Sequence, residues 1–257
     1  MKTLRLGSKG DEVGKWQYFL RGAGLYFGEV DEVFGEATRE GTQSFQRRHG
    51  LLEDGIAGNR TLGEAMRVGF SATEEDAGAE SPLEFPPPPS FGPLGQAGRQ
   101  QRFGKYDFVA APVDGNPEAI QIHGGWVAEN IQMFTIPQLK NVSGAAAEGR
   151  AQFHREVGPR VLELFQRWEE AGHLGSILTY GGSFVPRFVR GSRSVLSPHA
   201  HGSAFDINVA WNGFGAVPAK LGGRGSVRAL VPIANELGFY WGGHFKRRDG
   251  MHFELAR

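Results

Sequence analysis

The sequence predicts an α+β domain built on an antiparallel sheet, preceded by a small three-helix bundle. Three observations lead there. Residues 4–68 carry a doubled turn-plus-helix pattern, residues 69–98 lose apolar periodicity and contain four consecutive prolines, and residues 99–257 mix strand and helix signals without regular βαβ alternation. At 257 residues the chain can bury a sizeable core and divide in two.

The doubled pattern is D-x-x-x-G-x-x-T. It occurs at Asp31, Gly35 and Thr38 and again 23 residues on at Asp54, Gly58 and Thr61. Aspartate and glycine shape a turn, and the glycine before each helix eases the entry of the backbone. Val13, Trp16 and Leu20 mark a first helical stripe, Thr38, Thr42 and Phe45 a second, and Leu62, Ala65 and Met66 a third. Together with Gly10-Asp11-x-Val13 and Phe45-Gln46-x-x-x-Gly50-Leu51, these residues make the segment resemble the type-1 peptidoglycan-binding domain, a three-helix module of wall-lytic enzymes. The resemblance implies peptidoglycan as a partner of residues 1–68. Two departures stand out: Glu32 replaces a usual glycine, and Trp16 a usual leucine.

Residues 69–98 read as a linker. The acidic stretch 72–80 has no apolar period, and Pro86 to Pro89 should form a semi-rigid spacer of about 3.1 Å per residue. Phe85 and Phe91 beside the prolines suggest an end that packs on the second domain. In that domain, residues 121–123 and 126–136 read as strand and loop pieces, and 177–180 as a strand. A helix is expected over 155–171, with Val157, Val161, Leu164, Phe165 and Trp168 on one face, and another over 227–237.

Composition excludes several chemistries. There is no cysteine, hence no disulfide, thiolate metal site or cysteine nucleophile. Lysine plus arginine equals aspartate plus glutamate at 28 each, which argues against nucleic acid as a partner. Residues 1–98 hold 10 basic and 15 acidic side chains and residues 99–257 hold 18 and 13, a mildly basic second half that suits carboxylate-bearing substrates. No stretch approaches the roughly 20 apolar residues of a membrane span, and no leader is visible after Met1. The expectation is a monomer made as a soluble cytoplasmic chain, acting on the wall after release by a holin or a secretion machine.

The chemistry concentrates in two places. Ser197-Pro198-His199-Ala200-His201-Gly202-Ser203-Ala204-Phe205-Asp206 holds two histidines and an aspartate, and Asp249-Gly250-Met251-His252-Phe253-Glu254 closes the chain. Two imidazoles plus one carboxylate suit a catalytic zinc, which keeps three protein ligands and an open position. Period-2 alternation makes strands of 204–209 and 251–255, with Phe205, Ile207, Met251, Phe253 and Leu255 toward the core. Asp206 and Asn208 share the other face of the first strand, and His252 and Glu254 face outward on the second. If the strands are neighbours, Asp206 and His252 can lie opposite with Cβ atoms about 5 Å apart. His199 bends over as third ligand, and Asp249 handles protons. Asn208 and Glu254 are candidates for orienting the ligands.

The pattern S-x-H-x-x-G-x-A-x-D, complete at Ser197, His199, Gly202, Ala204 and Asp206, with Asp249 three residues before His252, resembles the M15 zinc peptidases. These cut bacterial peptidoglycan peptides at bonds containing D-amino acids. The resemblance implies the small α+β fold shared by Hedgehog-like and D,D-peptidase domains, Zn2+ as cofactor, and His199 rather than His201 as ligand. It also implies an upstream arginine that binds the substrate carbonyl or carboxylate, with Arg187 as first choice and Arg190 as second. His201, Ser197, Trp241 and His244 are further candidates for lining the substrate pocket, with Trp241 and Phe245 as its walls. An endolysin-like L-alanyl-D-glutamate endopeptidase is expected slightly ahead of a D-alanyl-D-alanine carboxypeptidase. A non-catalytic wall-binding protein is the alternative of another class.

Overall fold

The computed structural model describes residues 3–68, 70 and 84–257; the acidic part of the expected linker lies outside them. The bundle comprises α1 (Asp11–Gly22), α2 (Glu36–Arg48) and α3 (Asn59–Arg67). Trp16 is fully buried against Phe19, Phe45 and Phe70, and its indole N–H donates to Thr42 Oγ1 at 2.9 Å, so the departure from leucine is absorbed as an aromatic core.

Two buried glutamines, Gln17 and Gln46, explain the repeat. Gln17 Nε2 donates to Asp31 Oδ1, Val33 O and Thr38 Oγ1 at 2.8–3.0 Å, and Gln46 Nε2 donates to Asp54 Oδ1, Ile56 O and Thr61 Oγ1 at the same distances. Each aspartate also accepts the N–H two residues on, from Val33 and from Ile56. The repeated aspartate and threonine are therefore the two ends of a clamp on a buried glutamine. The position after the first aspartate is left-handed in both copies, with φ of 59° at Glu32 and 71° at Gly55. The departure from glycine at Glu32 thus sits where a side chain is strained.

The packed chain resumes at Glu84, ahead of the expected linker end. Its carbonyl accepts from Arg228, the Phe85 ring lies 5.3 Å from Trp241, and Arg257 covers Phe91. The helix α4 (Gln96–Phe103) follows, then the hairpin β1 (Phe108–Ala110) and β2 (Ile120–Ile122). Next come α5 (Trp126–Asn130) and a second antiparallel pair, β3 (Ile131–Thr135) with β4 (Arg150–His154). The helix α6 (Gly158–Glu170) precedes β5 (Tyr180–Gly182) and β6 (Ala204–Ile207). After α7 (Val231–Glu236), β7 (Phe239–Trp241) and β8 (His252–Leu255) complete an antiparallel sheet in the order β5-β6-β8-β7. The helix expected over 227–237 is split: a 3₁₀ turn at Arg228–Leu230 precedes α7, with Pro232 near its start.

One face of this sheet meets α6. Phe205 and Phe253 stack at 5.6 Å, Phe165 packs on Phe205, and Trp168 packs on Phe253, all with the side chains buried. Burial of four such aromatics, each worth about 2–3 kcal/mol, anchors the strands whose other face carries the polar residues. That other face is not solvent-facing as the alternation suggests: His252 and Glu254 are 4% and 3% exposed.

Candidate metal centre

Backbone register builds the site. β6 and β8 pair with Asp206 directly opposite His252, as the alternation requires. His199 comes from a 3₁₀ turn, Pro198–His201, capped by Ser197, whose Oγ accepts the His199 N–H. The turn is held from outside: Tyr106 donates to Ala200 O at 2.8 Å, and Arg99 of α4 donates to Leu196 O at 2.9 Å. It ends on Gly202 at φ 63°, where a Cβ would lie 2.7 Å from the His154 nitrogen, so only glycine fits.

His199 Nε2, His252 Nδ1 and Asp206 Oδ1 form a triangle with edges of 3.1–3.2 Å. The outer nitrogens determine which lone pairs face inward. His199 Nδ1 donates to Ser183 O at 2.7 Å, a group that can only accept, and His252 Nε2 donates to Glu254 Oε2 at 3.1 Å. Two imidazole lone pairs and a carboxylate oxygen therefore converge, an arrangement that calls for a cation or a proton at the centre. The electrostatic balance of the groups agrees. Burial opposes charge on His252, but hydrogen bonds to Asp206 and Glu254 outweigh it and push the ring up to about 10. Burial likewise raises Asp206, yet His199 and His252 hold it well below the usual carboxylate range. Burial lowers His199. The donor set, its spacing and its orienting partners fit zinc.

Asp249 precedes β8 in a turn closed by its own N–H to Gly242 O and by His252 N–H to Asp249 O. Its Oδ1 is out of contact with solvent and has no hydrogen-bond partner among the described residues. Burial, offset in part by His252 and the two arginines, pushes its carboxyl up to about 6. Arg187 and Arg190 line a cavity of about 200 Å³ together with His199 and Asp206. The Arg187 pKa is lowered by burial and by Arg190, with Asp206 and Asp249 opposing.

The remaining candidates lie elsewhere. Ser197 is 2% exposed and spends its hydroxyl on the cap, so it orients the His199 turn. His201 is fully buried on the far side of that turn among Tyr106, Trp126 and Phe103, which also lowers its pKa to about 4. Trp241 is a core residue whose N–H donates to Gly250 O, and it forms no pocket wall. His244 bonds Pro86 O at 2.7 Å and so ties the proline segment to the domain. Phe245, by contrast, lies with its ring 6.0 Å from His252. Of the two suggested orienting residues, Glu254 has that position and Asn208 does not. The strand ends at Ile207, and Asn208 turns left-handed to bind Leu178, Thr179, Ser176 and Gly225. Three further contributors to the cavity, Arg21, Tyr26 and Phe27, come from the bundle, where no local pattern marks them as belonging to the site.

Among curated proteins, the chain is similar to the spore cortex-lytic enzyme of Bacillus cereus, with 38% identity over 60 residues, 23% of this chain and 23% of that protein. It is also similar to the N-acetylmuramoyl-L-alanine amidase CwlM of Mycobacterium tuberculosis, with 45% identity over 53 residues, 21% of this chain and 13% of that protein. The matches thus span less than a quarter of the length of these relatives. Among solved structures, the SleB N-terminal domain is 35% identical over 26% of this chain and 90% of its own, at a TM-score of 0.25. The Burkholderia AP3 phage endolysin is 21% identical over 72% of this chain and 69% of its own, at a TM-score of 0.24. Two stretches match known families: residues 9–64 match the family described as "Putative peptidoglycan binding domain", and residues 190–255, which hold all three candidate ligands and Asp249, match an M15 peptidase family described as D-alanyl-D-alanine carboxypeptidase.

Proposed function

We propose that the chain is a zinc-dependent peptidase that hydrolyses peptide bonds of bacterial peptidoglycan, with residues 1–68 holding it on the wall polymer. The observation that carries this reading is the convergence of the His199, Asp206 and His252 donors near Asp249, whose Oδ1 is shut off from solvent and has no hydrogen-bond partner among the described residues. The similarity of residues 9–64 and 190–255 to the two wall-related families supports the substrate class.

His199, Asp206 and His252 would hold the zinc, which when bound supplies Lewis acidity toward the attacking water and the scissile carbonyl. Asp249 takes the proton of that water and delivers it to the leaving amine, a task suited to a carboxyl raised toward neutrality. Arg187 faces the cavity as the donor for the developing oxyanion or for a substrate carboxylate. Within the class, an endopeptidase acting on the stem peptide, such as an L-alanyl-D-glutamate cutter, is slightly favoured over a D-alanyl-D-alanine carboxypeptidase.

The test digests purified peptidoglycan with the wild type and with Asp249→Ala and identifies the released ends by mass spectrometry. The expected result is new peptide termini from the wild type alone, and their identity assigns the bond. Equal release by both proteins, or none by either, would overturn the enzyme reading in favour of a wall-binding protein. Metal analysis of protein purified without chelator should find zinc. Its absence, with no activation on addition, would count against the metal assignment.

A further inference from the structure

The bundle and the catalytic cavity are joined in a way that a tethered anchor does not require. Arg190 Nη1 donates to the carbonyl of Arg21, in the last turn of α1, at 2.6 Å. The Arg21 guanidinium pairs with Glu118, and Glu118 Oε1 also accepts the Gly191 N–H at 3.0 Å. At Gly22 a Cβ would lie 2.5 Å from the Phe214 nitrogen, so the end of α1 sits backbone-to-backbone on the second domain. Tyr18 packs edge-on to Phe214, Arg247 covers the Tyr18 ring at 3.8 Å, and Ala216 is buried within the bundle's own core.

The docked surface opens onto the candidate metal centre. The cavity that contains His199 and Asp206 has one wall made of Arg21, Tyr26 and Phe27. Arg21 is 4% exposed, and its Nη1 has no hydrogen-bond partner among the described residues. Phe27 is an exposed aromatic, 47% accessible, standing at the rim. Three arginines, Arg21, Arg187 and Arg190, thus surround the cavity against the carboxylates of Glu118 and Asp206. One of these acids is paired with Arg21 and the other belongs to the candidate metal site.

We infer that the N-terminal bundle is part of the substrate site as well as a wall anchor: Arg21 supplies a cation for a carboxylate of an acidic stem peptide, and Phe27 covers the adjacent stretch of that peptide. This rests on the peptidase reading for the identity of the substrate. A guanidinium that lines a low-dielectric cavity favours an anionic group entering it. An exposed aromatic ring at the rim offers a large contact face that binding would desolvate.

A soluble stem peptide without glycan separates the two roles, because it cannot use a polymer anchor. Its affinity is measured by calorimetry on the full chain carrying Asp249→Ala, so that binding is read without cleavage. Adding Phe27→Ala should weaken Kd about tenfold, Phe27→Trp should stay within about twofold of the parent, and Leu52→Ala, an exposed change elsewhere on the bundle, should leave it unchanged. Replacing the acidic residue of the peptide by its amide should also weaken binding. Equal Kd for Phe27→Ala and its parent, or no preference for the acid over the amide, would overturn the inference. Peptide that binds with these dependences yet is never cleaved by the wild type would instead overturn the peptidase reading and leave the composite site standing.

Discussion

In the bundle, Gln17 and Gln46 are buried with their amide groups engaged at both ends, each Oε1 accepting a loop N–H and each Nε2 donating to an aspartate and a threonine. Around β6 and β8, buried polar atoms instead face one another: three inward lone pairs share one space, and Asp249 Oδ1 has no partner among the described residues. Both regions bury polarity at a desolvation cost. In the first the cost is offset internally, and the result is stability. In the second it is left open, and the result is a candidate site. The contrast teaches that closure of a polar network, rather than its burial, separates a structural cluster from a chemical one in this chain.

The comparison predicts opposite consequences for similar-looking substitutions. The largest effect belongs to the open network. Asp249→Asn should lower turnover by roughly 10²–10⁴-fold while zinc content and melting temperature stay near wild type. His252→Ala should lose zinc and activity together. Metal analysis beside a peptide-release assay separates the two, and loss of zinc in Asp249→Asn would make Asp249 a ligand rather than a base. The closed network should respond in stability. Gln46→Leu strands the partners Asp54, Thr61 and the Gly55 N–H, which should cost about 3 kcal/mol in denaturant unfolding of the bundle, with little change in cleavage of a soluble peptide.

The pH dependences also divide. A base at Asp249 would act only when ionised, so on the proposed mechanism activity should fall as pH drops through its pKa of about 6, or lower once a bound cation stabilises the carboxylate. A pH–rate profile with no acidic limb would remove it from that role. His154 tests stability instead. Its folded pKa is lowered by burial, so the folded state binds its proton less readily than the unfolded chain. Its stabilising contribution is complete above the unfolded value near 6.5 and is lost as pH falls below it. Melting temperatures at pH 7.5 and 5.5 should differ less in His154→Gln than in wild type. The smallest expected effect is at Glu32, where φ is 59°. Glu32→Gly should relieve about 1 kcal/mol of left-handed strain and raise the bundle's stability by that order, whereas a drop would show that the Glu32 side chain contributes more than its backbone costs.

Much of the site was legible because its constraints are local. Alternation in Ala204–Ile207 and His252–Leu255 sorts core from polar residues, and the spacing Ser197-x-His199-x-x-Gly202 describes a capped turn ending on a glycine that nothing larger can replace. Register then follows from the requirement that Phe205 and Phe253 face the same core. The remaining candidates share a dependence on packing. Trp241, His244, His201 and Ser197 were singled out for being polar or aromatic near the ligands in sequence, and whether such a side chain faces a cavity or the core depends on which distant segment covers it. For Trp241 and His244 that segment is the proline stretch at Phe85 and Pro86, and for His201 it is Tyr106 and Trp126. By itself, the sequence determined the candidate donor set, the polar strand faces and the doubled bundle motif, because period and turn chemistry act over a few residues. Only the tertiary structure decided that the bundle's Arg21 and Phe27 wall the cavity at the candidate site and that Glu254 bonds His252, since these contacts depend on docking and burial that no local pattern records.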